Sequence, residues 1–155
     1  MKMIAIPGYG SLELENLVLD LNGTLTESGD FIPGVLDDLK KLKAHGFKIY
    51  ILSGDTRGTL KQAFPKFSGV EPIVTKTALD KRAFVESIGA ERTVCVGNGN
   101  IDVEMFKAAR LSICTVQAEG ATTQAILEAD IVVIHIKHAF EILLDPKKLI
   151  ATLRC

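Results

Sequence analysis

The residues best suited to chemistry in this 155-residue chain surround Asp20. Residues 17–26 read Leu-Val-Leu-Asp-Leu-Asn-Gly-Thr-Leu-Thr, so an apolar run leads into a lone carboxylate and then into a turn containing Asn22 and Gly23. An apolar run that ends in a turn is typical of a buried strand in a parallel sheet, and such sheets bind ligands at the carboxyl ends of their strands. A carboxylate there attacks an electrophile or holds a metal ion. The alternative is an ordinary strand end with an Asx turn.

Three further predicted strands are followed by groups of complementary chemistry. Ser53 and Gly54 offer a hydroxyl and backbone N–H groups, Lys81 offers a cation, and Asp102 offers a second carboxylate. With Asp20 they form a set that can hold and cleave a phosphoryl group, because phosphoryl transfer depends mainly on charge neutralisation and in-line positioning. Asp20 and Asp102 would repel each other without a cation between them, and Mg²⁺ fits because it prefers hard oxygen ligands.

Strand and helix patterns alternate from residue 17 onward. The predicted strands are 17–20, 48–52, 72–74, 93–96, 112–115 and 131–134. The predicted helices are 34–45, 56–64, 79–88, 101–109, 122–129 and 139–144, with a helical tail after Pro146. Thr77 and Asp80 form a capping-box pattern at the third helix. The alternation predicts a three-layer, Rossmann-like α/β fold with helices on both faces of a parallel sheet.

Two shorter segments precede this core. Residues 4–7 and 11–16 flank Gly8-Tyr9-Gly10, a pattern that predicts an N-terminal hairpin. No linker, repeat or low-complexity segment interrupts the chain. We therefore expect one domain over residues 1–155, with the hairpin in 1–16 and the core in 17–155.

The composition disfavours several classes of partner. The chain is 47% hydrophobic and 24% charged, has a formal net charge of -1, and contains no basic run, so nucleic-acid binding is not expected. The longest apolar stretches have the length of strands, so no membrane interaction is expected. The N-terminal segment lacks a signal-peptide pattern, which predicts a cytoplasmic protein.

The cysteines and histidines do not form a metal motif. Cys95 and Cys114 lie within apolar strand patterns, which favours free thiols packed as small hydrophobic groups. His135 and His138 are one helical turn apart and could share a metal ion. No acidic pair or cysteine completes that site nearby, so a structural role is favoured.

The motifs taken in order resemble the haloacid dehalogenase (HAD) superfamily. They are Asp-x-Asn-Gly-Thr-Leu-Thr from Asp20, Leu-Ser-Gly-Asp from Leu52, a lone lysine, and Gly-Asn-Gly-x-x-Asp from Gly97. The likeness covers residues 17–134, and residues 94–133 resemble the phosphorylation domain of P-type ATPases. The chain looks like the small soluble P-type ATPase-like HAD proteins.

The resemblance implies a Mg²⁺-dependent hydrolase that acts on a small-molecule phosphate ester. Asp20 would be the nucleophile that forms an aspartyl-phosphate, and Ser53 and Gly54 would bind the phosphoryl oxygens. Lys81 would neutralise the charge on Asp20 and the phosphate. Lys76, which lies nearer the strand end, is the rival for this role.

The resemblance also implies a magnesium site. Asp20, the backbone carbonyl of Asn22, and Asp102 would hold Mg²⁺. Thr24 would fix the loop through its hydroxyl, and Asn98 would lie close to the metal or its waters.

Two positions depart from the family pattern. HAD phosphatases usually carry Asp at the position of Asn22, where it serves as general acid and base, and an acidic metal ligand is usual at Asn98. Since an amide cannot titrate, these differences predict slow turnover. The alternative is a regulatory or phosphate-binding module that does not turn over. Haloacid dehalogenation ranks lower, because dehalogenases need a cap domain and no Mg²⁺.

The spacing of the motifs also predicts that no cap domain is present. Residues 26–34 leave room only for a short flap, and residues 54–81 leave room only for one helix and one strand. An open site of this kind either accepts bulky substrates or is covered by a neighbouring copy in a homo-oligomer. The N-terminal hairpin is a candidate for such a contact.

Overall fold

The computed structural model describes residues 3–54 and 70–155. Within these ranges, the strands are β1 (Ile4–Ile6), β2 (Gly10–Leu12), β3 (Asn16–Asp20), β4 (Thr26–Glu27), β5 (Asp30–Phe31), β6 (Lys48–Ser53), β7 (Val70–Val74), β8 (Thr93–Gly97), β9 (Leu111–Thr115) and β10 (Ile131–Val133). The α-helices are α1 (Val35–Ala44), α2 (Ala78–Ile88), α3 (Val103–Ala108), α4 (Thr123–Glu128), α5 (Ile136–Leu144) and α6 (Pro146–Leu153). Short 3-10 helices span Ala90–Arg92 and Asn100–Asp102. The helix predicted at 56–64 lies outside the described residues.

Six parallel strands form the central sheet in the order β10-β9-β8-β3-β6-β7. From β3 the chain moves outward to β6 and β7, then crosses to the other side of β3 and adds β8, β9 and β10. This crossing creates a topological switch point between β3 and β8, which is where open α/β sheets bind ligands. Asp20 is the last residue of β3 and therefore lies at that point.

A separate apolar core covers each face of the sheet. Leu17 and Leu19 of β3 belong to a core that includes residues of α1, α5 and α6. Val18 belongs to the other core, which includes residues of α2, α3 and α4. Successive residues of β3 thus face opposite cores, which explains why the strand is apolar throughout. The predicted three-layer α/β fold is confirmed.

Two small hairpins flank this sheet. β1 and β2 pair in the predicted N-terminal hairpin, but β2 ends at Leu12 and Asn16 already pairs with the central sheet as the first residue of β3. β4 and β5 pair as a short hairpin after the Asp20 turn, which we call the flap. The flap matches the short insertion expected from the motif spacing.

Some element boundaries differ from the prediction for local reasons. α5 begins at Ile136 rather than 139 because the His135 side chain caps it, with Nδ1 accepting the N–H of Lys137 at 3.0 Å. The predicted helix 101–109 is divided into a 3-10 turn and α3. The capping box of Thr77 and Asp80 is present at the start of α2. In the described part of the chain, no helix is long and apolar enough to cross a membrane.

Candidate active site

Lys81 lies between two carboxylates at the carboxyl end of the sheet. Its Nζ donates to Oδ1 of Asp20 at 2.6 Å and to Oδ1 of Asp102 at 2.8 Å. Lys81 is 1% exposed, Asp102 is 0% exposed and Asp20 is 8% exposed. The fold therefore brings together three charged side chains that the sequence places far apart. Lys76, the rival cation, is exposed.

The electrostatics of this cluster follow from its burial. Burial, together with the charge of Asp102, raises the pKa of Asp20 to about 6, although Lys81 opposes the shift. Burial acts to lower the pKa of Lys81, but the charges of Asp102 and Asp20 outweigh it, so this pKa is raised. The lysine is therefore a fixed cation at neutral pH. Two carboxylates and one ammonium leave the cluster with one net negative charge.

Both carboxylate oxygens of Asp102 are engaged. Oδ1 accepts from Lys81, and Oδ2 accepts the backbone N–H groups of Asn98 and Gly99 at 2.9 and 3.0 Å. A Cβ atom at Gly97 would lie 2.4 Å from Oδ2, so a side chain is not accommodated there. Asp102 thus organises the loop after β8 and orients Lys81. Oδ1 accepts one hydrogen bond and so keeps a second lone pair for a metal ion.

Asn98 connects the loop after β8 to two other segments. Its Oδ1 accepts a long 3.4 Å hydrogen bond from the Thr24 hydroxyl, and its Nδ2 donates to the carbonyl of Gly120 at 3.0 Å. A Cβ atom at Gly23 would lie 2.4 Å from Nδ2, and Gly23 has φ +77°, so glycine is needed there for two reasons. The hydroxyl of Thr24, expected to fix its loop, does so through Asn98.

The turn after Asp20 is closed by the carbonyl of Leu21. This oxygen accepts the N–H groups of Thr24, Leu25 and Thr26 at 3.3, 2.9 and 3.1 Å. Asn22, at the tip of the turn, is exposed. The turn therefore leaves Asn22 accessible beside the buried carboxylate.

Ser53 is the last residue of the neighbouring strand β6, and Gly54 follows it. Asp20 pairs with Leu52 in register, so Ser53 lies one residue further along at the same edge of the sheet. The carbonyl of Ser53 accepts the N–H of Thr75 at 2.9 Å, which fixes the end of the strand. Ser53 and Gly54 are thus placed next to the carboxylate cluster.

The oxygen atoms around Asp20 suit a hard cation. Asp20 contributes a carboxylate, Asn22 a backbone carbonyl and Asn98 an amide oxygen, which are the donor types that Mg²⁺ accepts when substrate phosphate and water complete its shell. Across 3–54 and 70–155, no group of three or more His, Cys, Asp or Glu side chains could hold a metal ion. The set fits Mg²⁺ chemically, although it carries few charges. His135 and His138 lie with ring centroids 6.1 Å apart, and His135 is a helix cap.

Sequence reasoning did not find Gln117. Its side chain reaches the carbonyls of Gly23 and Thr24, within the turn that follows Asp20. No motif marks this residue, because the contacts span more than ninety positions of the chain. It also lines a cavity of about 250 Å³ together with Gly23, the flap and His135.

Comparison with known proteins finds two relatives by sequence. No protein-family model matches it. It is 29% identical over 141 residues to a protein of Methanocaldococcus jannaschii described as a soluble P-type ATPase-like phosphatase, with 87% of this chain and 51% of that protein covered. The chain thus spans about half the length of that relative. An uncharacterized protein of the same organism is 42% identical over 64 residues, which cover 41% of this chain and 69% of that protein.

Solved structures share the fold. A protein of Streptomyces avermitilis assigned to the HAD family of hydrolases superposes with a TM-score of 0.68 at 19% identity, covering 94% of this chain and 90% of that one. The chain therefore shares the fold of this HAD hydrolase. The 3-deoxy-D-manno-octulosonate 8-phosphate phosphatase of Moraxella catarrhalis, solved with magnesium, phosphate and a sugar acid, aligns with a TM-score of 0.72 at 14% identity over 92% of this chain and 94% of that one. At these identities the likeness of the chain to both structures concerns the fold.

Proposed function

We propose that this protein is a HAD-type, Mg²⁺-dependent phosphatase in which Asp20 attacks a phosphate monoester. The observation that carries the proposal is the buried cluster of Asp20, Lys81 and Asp102 at the topological switch point. A buried lysine between two carboxylates is costly to fold, since desolvation of buried ion pairs often exceeds their attraction. Its placement at a ligand-binding edge therefore favours a chemical role.

The proposed reaction begins with an in-line attack by an oxygen of Asp20 on phosphorus. The bond from phosphorus to the leaving alkoxide breaks, the alkoxide takes a proton from water, and an aspartyl-phosphate remains on Asp20. Lys81 neutralises the negative charge that develops on the transferred group, and Asp102 holds Lys81 in place. Ser53 and the N–H of Gly54 bind phosphoryl oxygens.

Asp20, the carbonyl of Asn22 and Asp102 would hold the metal ion, with the side chain of Asn98 close to the metal or its waters. When bound, Mg²⁺ supplies charge neutralisation and orients the phosphate. Support for a divalent metal comes from the oxygen donors around Asp20 and from the magnesium in the M. catarrhalis structure.

Hydrolysis of the aspartyl-phosphate is proposed to be slow. Water must attack phosphorus and lose a proton to a base, but Asn22 stands where phosphatases of this family carry an aspartate. The second candidate function is therefore a regulatory module that holds phosphate on Asp20 without useful turnover. The amides at Asn22 and Asn98 are the observations that favour it.

A panel of phosphate monoesters, assayed with Mg²⁺ or with EDTA, tests the proposal. The wild-type protein is compared with Asp20→Asn and with Asp37→Asn, which makes the same change at an exposed position of α1. Phosphate release that needs Mg²⁺ and is lost only in Asp20→Asn supports the phosphatase. A stable phosphate on Asp20 without release supports the regulatory module. Equal release by Asp20→Asn and the wild type contradicts both.

A further inference from the structure

One side-chain amide connects the turn after Asp20 to the rest of the fold. We call this turn, residues 21–26, the nucleophile turn. Gln117 lies two residues beyond the end of β9, and its Nε2 donates to the carbonyls of Gly23 and Thr24 at 3.1 and 3.0 Å. Its Oε1 accepts the N–H of Ile136, the first residue of α5, at 2.7 Å. Three hydrogen bonds therefore fix the orientation of this amide.

The turn that Gln117 contacts has an inner and an outer set of hydrogen bonds. On the inside, N–H groups of residues 24–26 converge on the carbonyl of Leu21. On the outside, the carbonyls of Gly23 and Thr24 converge on Gln117, and both residues are buried. A buried carbonyl that loses its donor is destabilised, so the turn would rearrange without Gln117.

The same short segment also supports Asn98. The N–H of Gly120 donates to the carbonyl of Gln117 at 2.8 Å, and the carbonyl of Gly120 accepts from Nδ2 of Asn98 at 3.0 Å. Residues 117–120 thus contact the turn that follows Asp20 on one side and the loop after β8 on the other.

We propose that Gln117 is a positioning residue for the reaction at Asp20. It holds the turn that begins at Leu21, and so fixes the Asp20 carboxylate and the Asn22 carbonyl relative to Lys81 without touching the substrate. Misplacement of reacting groups by a fraction of an ångström slows catalysis while leaving binding nearly unchanged. The expected fall in kcat rests on the proposed function, whereas the expected rearrangement of the turn does not.

The rival role for Gln117 is to anchor α5 alone. That role needs only Oε1, the acceptor of the Ile136 N–H. Gln117→Glu keeps this acceptor and removes the two hydrogen bonds that Nε2 donates. Gln117→Met removes all three hydrogen bonds but keeps a side chain of similar length. The two variants therefore separate support of the nucleophile turn from support of α5.

Asp130→Ala is the matched control. Oδ2 of Asp130 accepts from the N–H and the hydroxyl of Ser112 at 2.9 and 3.1 Å, near the amino end of β9. This contact also joins a side chain to a neighbouring segment, but it lies at the opposite edge of the sheet from Asp20. Its loss is expected to lower stability without altering the nucleophile turn.

The experiment measures kcat and KM for p-nitrophenyl phosphate with Mg²⁺, the thermal midpoint, and amide hydrogen exchange over residues 21–26. In both Gln117 variants, kcat is expected to fall by roughly 10–100-fold with KM within about threefold. The amides of residues 21–26 are expected to exchange faster. Asp130→Ala is expected to lower the thermal midpoint while kcat and these exchange rates stay at their wild-type values.

Three results would overturn the inference. Wild-type kcat and wild-type exchange in Gln117→Glu would show that Gln117 only anchors α5. A loss of kcat in Asp130→Ala that matches its loss of stability would assign the effect to general destabilisation. If the wild-type protein has no turnover, the proposed function fails separately, and unchanged exchange over 21–26 in Gln117→Met would then overturn the role of Gln117.

Discussion

The Lys81 ammonium and the Asp20 carboxylate form a 2.6 Å hydrogen bond between two almost completely buried side chains. Lys81 also donates to Asp102, at 2.8 Å, so two carboxylates share one cation. The charges of these three groups depend on one another, because water is excluded from the cluster and does not screen them. Removal of Lys81 therefore leaves two buried carboxylates uncompensated, whereas removal of either carboxylate leaves a neutral pair.

Asp20→Asn is expected to abolish covalent phosphorylation. The amide is a far poorer nucleophile than the carboxylate, so the route through an aspartyl-phosphate closes. The measurement is incorporation of labelled phosphate, followed by release with hydroxylamine, in the wild type and in the variant. Equal labelling of both proteins would show that Asp20 is not the nucleophile.

Lys81→Met is expected to destabilise the protein by about 3–5 kcal/mol at neutral pH, because it leaves two buried carboxylates facing each other. The deficit should shrink as the pH is lowered, since protonation of one carboxylate removes the repulsion. Urea unfolding of the variant and the wild type, at neutral pH and at lower pH, measures the effect. Lys107→Met, which loses an exposed ion pair with Glu104, should cost at most about 1 kcal/mol. Equal losses in the two variants would contradict a structural role for the buried cation.

The stability of the metal-free protein should depend on the ionisation of Asp20. Its pKa is raised from 3.8 to about 6 in the folded protein, so the folded state binds a proton more tightly than the unfolded state in this range. The wild type should therefore lose about 2 kcal/mol relative to Asp20→Asn as the pH rises from 4 to 6, and the loss should be complete about one pH unit above the folded pKa. Urea unfolding in EDTA measures the difference. If the free energy of unfolding depends on pH in the same way in the two proteins, the raised pKa of Asp20 is contradicted.

Asn22→Asp is expected to increase turnover, because it supplies a base for the water that attacks the aspartyl-phosphate. The gain in kcat for p-nitrophenyl phosphate should approach about 10²-fold, the lower bound typical of general acid–base catalysis. Asn22→Gln serves as the control that changes the side chain without adding a titratable group. No gain at saturating Mg²⁺ in a folded Asn22→Asp protein would remove the missing base as the cause of slow turnover.

Asn98→Asp should tighten Mg²⁺ binding while weakening the fold. The added charge attracts the cation, but an oxygen replaces the Nδ2 group that donates to Gly120, which costs about 1–3 kcal/mol. Asn98→Ala loses the same hydrogen bond without adding charge. Calorimetric titration with Mg²⁺ should therefore show tighter binding only for Asn98→Asp. Unchanged affinity in Asn98→Asp would place the metal away from this residue.

The alternation of apolar strands and amphipathic helices determined the three-layer fold. Because parallel strands align their carboxyl ends, the polar residues that follow them were expected at one edge of the sheet. The start of α2 was equally predictable, since Thr77 and Asp80 form a local capping box. These features depend on residues close together in sequence, whose conformational preferences are largely independent of the rest of the chain.

The tertiary structure decided which of the candidate groups touch. The sequence left Lys76 and Lys81 as rival cations, and only the packing of α2 against the sheet buries Lys81 between the two carboxylates. The contacts of Gln117 with the nucleophile turn were not predictable at all. Such contacts join residues that are distant in sequence, and their geometry is set by how helices and strands pack rather than by the preferences of any local segment.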